Sequence, residues 1–189
     1  MVKKSNKKWI FIVAAFLLLT IYLVRVIALN ISCGKNEVIS TFVGGTVSEN
    51  AYEYTVSEYN ILSEKEFELK YHTDIDDERF DVYSDIYILT VDMAITKKEI
   101  VDDSIYKFSL SNIYAQTLTY SQGMSPELFA LINTETTKFG ENTDTIRVTM
   151  PYVFVKDIFS EKSWNNFKDG SLKISLCNAE NTKKEIILQ

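Results

Sequence analysis

Proline and glycine are scarce in this chain: two and six among 189 residues. Long flexible linkers and collagen-like or low-complexity segments are thereby excluded. Histidine occurs once, at His72, and cysteine twice, at Cys33 and Cys177. A structural zinc site takes four such ligands, and the chain has three. Any Ser-His-Asp or Cys-His arrangement would have to run through His72, and no serine carries a nucleophile signature around it. No glycine-rich phosphate loop, CxxC pair or HExxH occurs. His72 therefore reads as a surface side chain. No cofactor is expected.

Acidic residues are missing from the first 32 positions, which instead hold Lys3, Lys4, Lys7 and Lys8 ahead of the apolar run Trp9–Leu29 (WIFIVAAFLLLTIYLVRVIAL). As a helix this run would span about 31 Å, against a hydrocarbon core of roughly 30 Å. It predicts a transmembrane helix, with a basic cytoplasmic tail over residues 1–8 and the C-terminal part outside. Arg25 lies one turn from the outer end, where its head can reach the headgroups. Three alternatives compete. Val26-Ile27-Ala28 could precede a signal-peptidase cut, but signal cores are shorter and lack an Arg at that place. Lipidation at Cys33 would want an aliphatic residue where Asn30 stands. A buried core helix would be amphipathic, and this one is apolar all round.

All 26 acidic residues lie beyond the run, and five of the 20 basic ones (Lys3, Lys4, Lys7, Lys8 and Arg25) do not, so residues 33–189 carry a formal charge of −11. So acidic a field disfavours nucleic acid and anionic lipid as partners of that part. The expected partners are the bilayer, through residues 9–29, and an unidentified envelope protein or peptide. An exported location permits a disulfide between Cys33 and Cys177, but spacing alone does not establish one.

Past a short stalk at residues 30–40, one domain over 41–189 is expected to be mainly β. Asn50–Ile61 alternates through Tyr52, Tyr54 and Val56, with an irregularity at its middle before Tyr59 and Ile61. Glu66–Tyr71 alternates through Phe67, Leu69 and Tyr71. Ile86–Ile95 (IYILTVDMAI) reads as a central strand buried on both sides. Ile105–Leu110 and Ile113–Tyr120 are rich in aromatic and β-branched residues. Thr145–Val155 alternates until Pro151, which fits an edge or a bulge. Leu172–Leu176 and Glu185–Leu188 close the chain as a hairpin with its turn near Asn181, and Gly44-Gly45 is a turn. Two short helices are signalled by Ser125-Pro126-Glu127 and by Ser160-Glu161 with Trp164, Phe167 and Gly170; both are expected over open ends of the sheets. The pattern predicts an antiparallel immunoglobulin-like β-sandwich behind one N-terminal transmembrane helix.

The densest acidic cluster is Asp74, Asp76, Asp77, Glu78 and Asp81. Hard cations want oxygen ligands at such density, which makes Asp74, Asp76 and Glu78 weak metal candidates, although no glycine supplies the sharp turn of a calcium loop. A solvated charged loop is the plainer reading. The 11 tyrosines and 11 phenylalanines could form a stacking platform, but their alternation within strands reads as core.

The segments AYEYTVSEYNI, DIYILTVDMAITKK, SPELFALIN and RVTMPYVFVKDIFSEKSWNNF follow the N-terminal anchor in this order. The layout resembles small exported domain-of-unknown-function proteins of Gram-positive bacteria and is similar to telokin-like, immunoglobulin-like surface sandwiches. The resemblance implies fold and location; it carries no activity and no functional residues. The function expected is a single-pass membrane protein presenting an acidic sandwich outside the cell, as a non-catalytic binding module rather than an enzyme. An accessory or immunity-type subunit intercepting cationic peptides at an exporter is one alternative, and an envelope hydrolase using carboxylates is another.

Overall fold

A computed structural model of the chain describes residues 6–32, 37–75, 85–98, 109–118, 120–134, 139, 144–165, 167, 172–176 and 182–189. The N-terminal unit, Met1–Glu37, is separate from the unit Val38–Gln189. Its helix α1 runs Asn6–Ser32. Thr20 returns its hydroxyl to the carbonyl of Phe16, 2.9 Å away, as a threonine within a helix does.

The membrane expectation is corrected here. Among the described residues no helix is long and apolar enough to cross a membrane. Thr20 and Arg25 interrupt the apolar run of α1. The transmembrane helix, the signal anchor, the bilayer as partner of residues 9–29 and the single-pass, N-in topology are withdrawn together. So is the function built on them, whether display at a membrane surface or interception of cationic peptides at an exporter.

The second unit is built from two sheets. Strands β1 (Glu37–Phe42), β5 (Ile113–Gln116), β6 (Ser121–Gly123), β8 (Leu172–Leu176) and β9 (Thr182–Leu188) form sheet 1, in the order β1-β9-β8-β5-β6. Sheet 2 holds β2 (Thr46–Glu49), β3 (Tyr52–Leu62), β4 (Ile86–Lys97) and β7 (Thr145–Val155) in the order β2-β3-β4-β7, all paired antiparallel. Alternation sets the inner faces. Tyr54, Val56, Leu89, Val91, Met93, Val148, Met150 and Phe154 of sheet 2 share one core with Ile113, Ala115, Ile174, Leu176, Ile186 and Leu188 of sheet 1. Tyr152 adds a polar link, its hydroxyl donating to the carbonyl of Ile113 across the core at 3.5 Å, and its complete burial raises the phenol pKa. The chain crosses between sheets at a turn where Gly44, at φ +85°, donates to the carbonyl of Val56 and Gly45 donates to that of Phe42.

Four α-helices occur among the described residues rather than a transmembrane helix and two short ones: α1, α2 (Glu64–Tyr71), α3 (Pro126–Ile132) and α4 (Glu161–Asn165). The segment read as a strand at Glu66–Tyr71 is α2. Ser63 caps it reciprocally: its hydroxyl accepts from the amide of Glu66, whose carboxylate accepts from the amide of Ser63 at 2.7 Å. Phe67 is fully buried, Tyr71 packs on it four residues later with ring centroids 4.8 Å apart, and Leu69, between them, is exposed. That is the helical period, not the strand period.

The expected signals of α3 and α4 hold: Ser125 accepts from the amide of Leu128, and Ser160 from that of Ser163. Their placement differs. Helix α3 does not lie at a sheet end. Its Leu128 joins Phe67, Ile75 and Ile88 in a second core on the outer face of sheet 2. Trp164 of α4 and nearby Phe167 do close one end of the main core, with Tyr87, Phe154 and Phe159; Trp164 stacks on Tyr87 at 4.7 Å. Strand β1 begins at Glu37, within the stretch read as a stalk, and β2 and β6 were not anticipated. Residues 105–108, Gly170 and Asn181 lie outside the described residues.

Candidate functional site

The outer face of sheet 2 changes character along its strands. Toward one end it is apolar (Leu62, Ile86, Ile88, Val153) and belongs to the core that α2 and α3 contribute to. Toward the other it turns polar. The register pairs Asp92 with Glu58 and Thr149, and Ala94 with Thr55 and Arg147. A register shift between Val56 and Glu58 leaves Ser57 as the extra residue of a bulge, whose hydroxyl donates to the carbonyl of Asp92 at 3.2 Å.

At this boundary lies a groove of about 650 Å³, lined by Ser57, Asp92, Ala94, Ile132, Asn133, Thr134, Arg147 and Thr149, with Met93 and Val148 behind. Its size suits a small molecule. Its polar walls are positioned. The Thr149 hydroxyl donates to Asp92 Oδ1 at 2.5 Å. Asn133, which caps the C-terminal end of α3, treats the edge strand β7 as a neighbouring strand would: its Oδ1 accepts from the amide of Thr149 at 2.9 Å, and its Nδ2 donates to the Thr149 carbonyl at 2.9 Å. The same Nδ2 donates to the carbonyl of Phe129 at 3.0 Å. Two residues on, the amide of Ser125 donates to the carbonyl of Pro151. Pro151 thus stands on the edge, without a bulge, where its missing N–H costs no sheet bond. Arg147 is exposed, and no ion pair to it occurs among the described residues.

A second cleft, of about 420 Å³, lies past the other end of α3 among Ile86, Met124, Pro126, Val153, Val155 and Ile158. Its polar rim groups bond one another: the Tyr120 hydroxyl donates to Gln122 at 3.0 Å, and the Ser125 hydroxyl to Glu127 at 3.3 Å. The groove, with a guanidinium that has no ion-pair partner among the described residues and a carboxylate fixed by Thr149, is the better candidate.

Charged groups elsewhere hold the fold. On the outer face of sheet 1, Glu185 meets Lys173 at 2.7 Å and Lys183 at 2.6 Å. Burial by itself pushes its carboxyl upward; hydrogen bonds from both lysines, with their charges, outweigh this and hold the net pKa below the ordinary glutamate value. Between the sheets, Glu49 of β2 pairs with Lys184 of β9 at 2.5 Å, both side chains largely buried. Burial first, then the charge of Glu49 and the neighbouring Tyr52, raises the pKa of Tyr54.

None of the residues singled out in the sequence is among the described lining of the groove. Asp74 is described and exposed; Asp76 and Glu78 lie outside the described residues, as do Cys33 and Cys177. Among the described residues no group of three or more His, Cys, Asp or Glu could hold a metal ion. His72 is exposed and ends α2 in the left-handed conformation at φ 52°. Among the described residues the groove lining has one carboxylate, Asp92, and not the facing pair that the carboxylate-hydrolase alternative uses. Asp92 itself had a visible signal, as the lone acid within the apolar run IYILTVDMAI.

Fold and groove together define a two-layer β-sandwich domain with a polar groove on one outer face. Residues 36–182 match the family described as Domain of unknown function (DUF5028), and the chain belongs to it. No curated protein matches. Among solved structures, the chain is similar to a functionally unknown protein from Listeria monocytogenes EGD-e, at 13% identity and TM-score 0.46, over 76% of this chain and 79% of that one. It is also similar to an uncharacterized beta-sandwich protein from Clostridium difficile 630, at 10% identity and TM-score 0.36, over 79% of this chain and 93% of that one. At these scores the sandwich assignment rests on the strand order and the shared core. The domain-of-unknown-function resemblance holds through this family match, without the membrane anchor.

Proposed function

We propose that this domain is a non-catalytic binding module, and that the groove between α3 and the polar half of sheet 2 is its ligand site. The observation that carries the reading is the pair formed by Asp92, fixed by Thr149, and Arg147, which has no ion-pair partner among the described residues; both face one groove of about 650 Å³. Immunoglobulin-like sandwiches are scaffolds whose function resides in sites on their faces and loops. Here the bulge at Ser57, the register of β4 with β7 and the Asn133 clamp fix the site to rigid elements. The polar side chains bonded in the groove orient one another, an arrangement suited to holding a ligand rather than transforming it.

The test is a ligand-detected NMR screen of small polar molecules against the full chain and against Ala94→Trp, which fills the groove from its floor. Hits that bind the wild type and lose binding in the variant, with unchanged circular dichroism, support the reading. Hits that bind both proteins equally, or that are chemically turned over, contradict it.

A further inference from the structure

Asp92 and Arg147 are diagonal neighbours on the outer face of sheet 2, since Asp92 stands opposite Thr149 and Ala94 opposite Arg147. Residues so placed lie about 7–8 Å apart, within reach of a long side chain. An arginine and an aspartate in this relation would ordinarily pair. They do not. The Thr149 hydroxyl holds Asp92 Oδ1 at 2.5 Å, and Asn133 locks the Thr149 backbone through both its amide and its carbonyl. The carboxylate is therefore oriented by its neighbours, with Oδ2 still able to accept. Arg147 keeps a planar fork of donors that no acid occupies among the described residues. Opposite charges that do not pair with each other at one groove offer two subsites, one for an anion and one for a cation.

We propose that the groove takes a small zwitterion, a free amino acid or dipeptide. Its carboxylate lies on the Arg147 guanidinium and its ammonium on Asp92 Oδ2. This inference rests on the groove being the ligand site. The volume, about 650 Å³, suits such a molecule, and the walls at Ala94 and Ile132 give its body apolar contact. Two complementary charges also supply selectivity. A ligand blocked at either terminus forfeits one charge-assisted hydrogen bond, to Asp92 or to Arg147.

The experiment is isothermal titration of the full chain with glycylglycine, N-acetylglycylglycine and glycylglycinamide, repeated on Arg147→Gln and Asp92→Asn. Glycylglycine is expected to bind, and either block to weaken binding by about tenfold or more. Arg147→Gln should remove the penalty of the C-terminal amide while keeping that of the acetyl group, and Asp92→Asn should do the reverse. This crossed pattern is one that a general loss of folding cannot produce. Equal affinity for free and blocked peptides, penalties that survive both substitutions, or no binding of glycylglycine at millimolar concentration would each overturn the proposal. If neutral ligands depend on the groove and glycylglycine does not bind, the ligand class is wrong and the site stands. If glycylglycine binds wild type and Ala94→Trp alike, both readings fall.

Discussion

Replacing Asn133 by Ala removes three hydrogen bonds at once: two to the backbone of Thr149 and one to the carbonyl of Phe129. Each is worth about 1 kcal/mol net in a folded protein. All three are part-buried, so water can reach some of the groups left behind. The expected loss is therefore about 2–3 kcal/mol rather than the larger cost of fully buried, orphaned groups. Asn133→Asp keeps the acceptor for the Thr149 amide, but it loses both donors and sets a charge against two carbonyl oxygens, so it should be no more stable than the alanine variant. Urea unfolding followed by the fluorescence of the buried Trp164 measures this. The midpoint should fall while the slope stays unchanged, because the exposed area on unfolding is the same. A loss below about 0.5 kcal/mol, the range of an ordinary surface change, would refute the assignment of Asn133 as the clamp that holds α3 on the edge of sheet 2.

Phe67→Ala should cost about 3–5 kcal/mol, because its ring is fully buried in the second core, whereas Leu69→Ala, at an exposed position of the same helix, should change stability by less than about 0.5 kcal/mol; the opposite order would restore the strand reading of this segment. The depressed pKa of Glu185 predicts a stability contribution that is present above its unfolded value of about 4.5 and is lost as pH falls through the folded value. Glu185→Gln should flatten the acid limb of a plot of urea midpoint against pH, and an unchanged limb would contradict the Lys173–Glu185–Lys183 account. Glu49→Leu should cost about 3 kcal/mol, because it leaves the Lys184 ammonium largely buried without its carboxylate. Adding Lys184→Met should restore most of that loss in the same assay, and a purely additive second loss would show that the pair is not the source.

The strands that carry the core were legible because alternation is a direct image of an inner and an outer face. Tyr52, Tyr54 and Val56 of β3, and Ile146, Val148 and Met150 of β7, point inward as their spacing implied, and the irregularity expected in β3 is the bulge at Ser57. Helix α2 was missed because Phe67, Leu69 and Tyr71 alternate as well as any strand. The deciding signal was local: Ser63 followed three residues later by Glu66, a capping box. Short strands such as β6, with three residues, offer too little pattern to be read. The apolar run at Trp9–Leu29 dominated the sequence reading, and the described helix does not sustain it as a membrane span. The groove could not be read in advance for a different reason. Its residues come from four elements far apart in the chain, and only the register of β4 with β7 brings Asp92 beside Thr149 and Arg147. Composition pointed instead to the acidic cluster around Asp74, an exposed position.

An amide chemical-shift map of the full chain, titrated with glycylglycine and with its two blocked forms, tests the central claim most directly. The account predicts the largest shifts at Ser57, Asp92, Asn133, Thr134 and Arg147, with the free dipeptide acting at the lowest concentration. Shifts gathered around Tyr120, Val153 and Ile158, or spread over the surface without saturation, would contradict it.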